Sequence, residues 1–204
     1  NETIDCFCDA IFPVIFDPSV LPKRVNKADK QDLVTTSACN YYENLTQEEV
    51  EKFYNDMKDG ADESMPSYGL NSKLVKRDGS IVECKWTETG MYGPAISHII
   101  YWLEKARDEA ENEQQKKIIS ILTEYYRTGD LRTFDSFSIE WLKETEGRVD
   151  FINGFIEVYG DPLGLKASWE GFVSYKDIEA TRRAQTISDN AQWFEDNSPI
   201  DPRF

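Results

Sequence analysis

The chain has 204 residues, 40% hydrophobic and 13% aromatic, enough apolar material for a core that needs no disulfide staple. Thirty-eight acidic against 23 basic residues leave a formal charge of −15, which argues against nucleic acid as a partner and suits cationic ligands such as a peptide's free amino terminus. No apolar run approaches a membrane span, so no membrane association is expected.

Cys6, Cys8, Cys39 and Cys84, with His98 as the single histidine, match no zinc-ligand spacing. No metal is therefore expected on this chain, and the thiols are expected to be reduced in a cytoplasmic setting. The first residue is Asn1 rather than methionine, and the sequence closes on Phe204 without a polar tail. A piece of a longer protein is the expectation.

Taken in chain order, residues 1–60 read as helix and loop. Ile4, Cys8, Ile11, Phe12 and Ile15 fall at helical spacing, with Pro13 expected to kink or end that helix. Thr46 with Glu49 forms a capping box that opens a second helix, its apolar face Val50, Phe53, Tyr54 and Met57 and its stop near Asp59-Gly60. Residues 68–87 predict a β-hairpin turning on Asp78-Gly79, with Val82, Cys84 and Trp86 on the covered face and Glu83 and Lys85 outside.

Residues 94–145 predict three helices. Ile96, Ile99, Ile100, Leu103 and Ala106 stripe the first, and Ile118, Leu122 and Tyr125 the second, which ends at Gly129. The third turns Phe134, Phe137, Trp141 and Leu142 inward. Two strands follow at 149–159 and 168–175, and one amphipathic helix spans 177–196 with Ile178, Ile187 and Phe194 on its apolar face. The fold class is α+β, helices packed around a small, largely antiparallel sheet.

The chain carries no P-loop, no G-x-S-x-G elbow, no dinucleotide fingerprint, no HExxH helix and no Nudix signature. No catalytic residue is therefore assigned. The informative stretch is GFIEVYGDPLG, residues 154–164, a strand pattern with Glu157 at its centre. Burying a carboxylate costs several kcal/mol unless something pairs with it. Glu157 either faces solvent or awaits a positive partner, and Glu170 on the next strand is a candidate second carboxylate for glycoside-type chemistry.

That stretch, with SWEGFV at 168–173, closely resembles the dipeptidyl peptidase III family of zinc-dependent exopeptidases. Gly154, Phe155, Glu157, Tyr159, Asp161, Pro162 and Gly164 match its motif, as do Trp169, Glu170, Gly171, Phe172 and Val173. Gly160 departs, standing where many members carry arginine. SYGLNSKLVK, DAIFPVIFDPSVLPKRVN and NAQWFEDNSPIDPRF look like segments of bacterial members, so the likeness covers nearly the whole chain.

The resemblance implies part of the lower lobe of a two-lobed metallopeptidase, with zinc held by an HExxGH helix absent here and expected in the full-length parent. It implies substrate binding by Glu157, which would take a peptide's α-ammonium, and by Tyr159, with Asp161 and Glu170 as further candidates. The implied partners are peptides with a free N-terminus and the missing zinc-binding lobe. The fragment alone would be inactive. The alternative is a stand-alone peptide-binding module.

Overall fold

A computed structural model describes residues 3–58, 66–201 and 203. Its helices are α1 (Ile4–Phe16), α2 (Gln47–Lys58), α3 (Gly93–Asp108), α4 (Glu113–Thr128), α5 (Leu131–Lys143), α6 (Ile178–Ser188) and α7 (Ala191–Asp196). Its strands are β1 (Tyr42–Glu43), β2 (Ser72–Arg77), β3 (Ser80–Lys85), β4 (Val149–Glu157) and β5 (Ser168–Tyr175). The class is α+β, but the strands form two sheets rather than one. β1 runs parallel to β2 and β2 antiparallel to β3, while β4 and β5 make a separate antiparallel hairpin.

The β2–β3 turn uses Asp78 and Gly79, both in the left-handed region (φ 48° and 79°), which a two-residue hairpin with matching twist requires. The alternation on β3 holds at its end, where Lys85 is exposed and Trp86 buried, but departs from the sequence expectation at Val82 and Glu83. Val82 is exposed, whereas Glu83 points inward and accepts hydrogen bonds from Tyr54 (2.9 Å) and Ser72 (2.7 Å). Buried hydroxyl donors hold a carboxylate where hydrophobic patterning alone would put an apolar side chain.

Two apolar clusters form the interior. The larger gathers Trp86, the α3–α4 face of Ile96, Ile100, Ile118 and Leu122, with Tyr125, Tyr126, Phe137 and Phe155. The smaller gathers Val34, Leu45, Val50, Tyr54 and Leu74. The segment between β4 and β5 joins them: Leu163 and Leu165 pack on the smaller cluster, and Ala167 belongs to the larger.

Several expected edges shift. α1 continues through Pro13 to Phe16, its last turn closed by Asp17 N–H donating to Pro13 O at 3.0 Å. Leu142 is exposed rather than inward, since α5 ends one residue later and only Phe137 of this helix is fully buried. The expected helix over 177–196 is broken at Asp189-Asn190 into α6 and α7, and neither of them, nor α1, contains a buried residue. The expected stop of α2 at Asp59-Gly60 lies outside the described residues.

Candidate functional site

β4 and β5 pair from Val149↔Tyr175 to Phe155↔Trp169, which sets Gly154 opposite Glu170. At constant register Glu157 would then oppose Ala167 and point away from Glu170, because side chains alternate faces along a strand. The structure instead inserts an extra residue between Phe155 and Glu157, and Glu157 opposes Ser168. That β-bulge puts Glu157 on the face shared by Ser168 and Glu170, an example of a bulge re-aiming a side chain.

The two carboxylates now meet. Both are half-buried, and partial desolvation raises the Glu157 pKa above the ordinary glutamate value, with a hydrogen bond to Glu170 and its negative charge adding to the rise. The pair thus retains a proton longer than an isolated glutamate would. Gly154 belongs to the same construction: a Cβ there would stand 2.8 Å from the Phe134 ring of α5, so only glycine lets α5 close against the strand beside Glu170.

β4 ends at Glu157, two residues earlier than the pattern suggests, so Tyr159 lies on the following loop, 77% exposed. Next to it, Gly160 is covered by Arg24. A Cβ at 160 would lie 2.9 Å from the guanidinium Nη2, which occupies the room a side chain there would need. An arginine therefore stands over Gly160, but it comes from residue 24. Nothing in the local motif signals this, since Arg24 reaches across from the loop after α1.

Asp161 is not presented to a ligand. It is 1% exposed, and its oxygens are taken up by the fold. Oδ2 accepts from Leu165 N (2.7 Å), Lys166 N (2.9 Å) and the Tyr42 hydroxyl (2.8 Å), and Oδ1 accepts from Leu163 N (3.3 Å). Lys27 Nζ donates to Pro162 O at 2.6 Å, and Gly164 turns the chain at φ 67°. Asp161 shapes the loop that positions Tyr159 at one end and Ser168 at the other.

Lys166 is a second feature that sequence inspection misses. Its side chain is fully buried, donating to the Ser72 hydroxyl (2.9 Å) and to the Tyr54 hydroxyl, with the ammonium 4.6 Å from the Tyr54 ring centre. Both hydroxyls donate onward to Glu83, so the cation meets its counter-charge through an intervening layer. Burial lowers the Lys166 pKa to about 8 despite the opposing pull of Glu83 and Asp161. The signal is tertiary: Glu83 and Lys166 lie in different elements, and only the fold joins them.

Among the described residues no group of three or more His, Cys, Asp or Glu side chains stands close enough together to hold a metal ion. His98 is exposed on α3, and the four cysteines are unpaired thiols. These residues do not fit a zinc site. No described helix is long and apolar enough to cross a membrane.

Comparison with known proteins follows the same lines. The model of peptidase family M49 matches residues 23–204. The chain is 27% identical over 184 residues to dipeptidyl peptidase 3 of Dictyostelium discoideum, covering 80% of this chain but 26% of that protein. It is likewise 27% identical over 115 residues to dipeptidyl peptidase 3 of Rattus norvegicus, 56% of this chain and 16% of the relative.

In fold it is similar to the solved structure of DPP III from Caldithrix abyssi, with a TM-score of 0.59 at 19% identity, over 89% of this chain and 34% of that one. The α+β frame is thus one that a solved DPP III structure also has. More narrowly, the chain belongs to peptidase family M49, the dipeptidyl peptidase III family. It spans about a quarter of the length of its Dictyostelium relative.

Proposed function

We propose that this chain is a substrate-binding part of a dipeptidyl peptidase III-type enzyme that removes dipeptides from peptide N-termini. Glu157, with Glu170 beside it, receives the substrate's α-ammonium, and Tyr159 contacts the peptide from the exposed loop. The observation that carries this reading is the bulge, which turns Glu157 onto Glu170's face and builds a half-buried acidic pair. Two adjacent carboxylates repel when both are ionised, and an arriving ammonium relieves that repulsion while making charge-assisted hydrogen bonds, the stronger kind.

The zinc that the family uses has no fit among the described residues, so the reading assigns it, and the bond cleavage, to sequence outside this chain. This chain's contribution is to hold one end of the peptide. An anchored amino terminus sets the register of cleavage by counting residues from that end.

Titration calorimetry with a free-amino tetrapeptide and its N-acetylated counterpart tests the assignment. Binding of the free-amino peptide alone is expected, weakened about tenfold or more in Glu157→Gln, because a neutral amide gives up the charge-assisted bond. Equal binding of the acetylated peptide, or an unchanged affinity in the variant, would refute it.

A further inference from the structure

The bulge that aims Glu157 has its counterpart on the opposite strand. At constant register Glu157 would face Ala167, but the Ala167 N–H donates to Leu70 O at 2.9 Å, in the turn leading into β2. A backbone amide has one proton to give, so this one is withdrawn from β4. Ala167 is also fully buried in the larger apolar cluster, which keeps it there. β4 therefore meets Ser168 as its next partner, one residue out of step.

The residue before Ala167 is tied to the same side. Lys166 N–H donates to Asp161 Oδ2 at 2.9 Å, and its ammonium donates to the hydroxyls of Tyr54 on α2 and Ser72 on β2. That ammonium lies 4.6 Å from the Tyr54 ring centre and 5.8 Å from the ring centre of Tyr42 on β1. Glu83 of β3 faces it across the two hydroxyls, and Asp161 is the other acid acting on it. Ser72 and Glu83 belong to the paired β2–β3 ladder, so the lysine docks on a fixed frame.

Burying a lysine costs stability that an apolar side chain of similar length would not lose. Apolar contact, however, has no direction. Donation to two fixed hydroxyls does have one, and it sets where the backbone at 166 must lie. Single buried polar residues specify register in coiled coils in the same way.

We infer that Lys166 is a positioning residue: by fastening position 166 to α2 and β2 it keeps Ala167 out of the β4 ladder, and so produces the bulge that turns Glu157 onto the face of Glu170. Its bearing on peptide binding rests on the acidic pair holding the amino terminus. Without the lysine, the hairpin closes at constant register, Glu157 opposes Ala167, and the two carboxylates part.

The test compares this chain with its Lys166→Met variant, in which Glu83 keeps both hydroxyl donors. Cross-strand nuclear Overhauser contacts of the Glu157 backbone are expected to pass from Ser168 to Ala167. The Glu157 carboxyl, titrated by ¹³C NMR, is expected to lose its upward shift and return to the ordinary glutamate value. The sign is informative, because deleting a cation by itself raises the pKa of a neighbouring carboxylate rather than lowering it. Affinity for a free-amino tetrapeptide is expected to fall about tenfold at an undiminished urea midpoint.

Contacts that stay at Ser168, or a Glu157 midpoint that holds or rises, overturn the positioning role. A Lys166→Met chain that fails to fold overturns it too, since the lysine would then serve stability rather than register. A slipped register with undiminished peptide affinity overturns the acidic anchor instead and leaves the positioning role standing.

Discussion

Asp161→Ala is the substitution whose outcome separates a residue that builds the site from one that touches a ligand. The carboxylate accepts three short hydrogen bonds at 2.7–2.9 Å and a longer one at 3.3 Å, and alanine would leave all four donors without it. Each buried donor left unsatisfied costs about 1–3 kcal/mol, but the longer contact contributes little and the loop can relax toward water, so the effects do not add fully. The expected loss is about 3–4 kcal/mol.

With a urea m-value of about 2–3 kcal/mol/M, appropriate to a chain of this size, the unfolding midpoint should fall by about 1–2 M at unchanged slope. Peptide affinity should fall as well, because the same loop sets Tyr159 and Ser168. A midpoint shift below about 0.3 M would show that Leu163, Leu165 and Lys27 pin the loop by themselves. Lost affinity at unchanged stability would mean that Asp161 faces the ligand after all.

Two further outcomes follow from charges. Lys166 has a folded-state pKa of about 8 against an ordinary 10.5, so between those values the unfolded chain binds more protons and stability rises with pH. The penalty for burying the charged form, about 3 kcal/mol for a shift of this size, is in full force below pH 8 and lifted as the pH approaches 10.5. Lys166→Met should be at least as stable as the native chain at pH 7, and denaturation across that interval should show its advantage shrinking; a constant difference would mean the lysine keeps its charge throughout.

Peptide binding should weaken on acidification sooner than an ordinary glutamate would dictate, because the raised Glu157 pKa protonates the acceptor early. Calorimetry at about pH 5, where the peptide's α-amino group is already protonated, in buffers of different ionisation enthalpy should register proton release on binding, and the release should vanish in Glu157→Gln. Proton uptake would refute the assignment.

How much of this was legible beforehand differs from element to element. The turn at Asp78-Gly79 was readable because both residues tolerate positive φ, and the α3–α4 face because its apolar residues recur at helical spacing. The motif around Glu157 identified the family and the residue worth testing. It did not show where Glu157 points. That depends on one extra residue in a strand pairing, and hydrogen-bond registry across strands leaves no trace in a period-two pattern.

The inward turn of Glu83 escaped prediction for a related reason. Its partners Tyr54 and Ser72 are brought to it by a different helix and the opposing strand, and the cation beyond them is 83 positions away in the chain. Asp161 looked like a motif residue open to a ligand, and proved to be the acceptor shared by three loop amides and the Tyr42 hydroxyl of β1. Local propensity and hydrophobic period, being interactions among near neighbours, settled which segments are helix or strand. Which acids meet and which lysine is buried were decided only when distant segments packed, because burial and pairing are properties of the assembled interior.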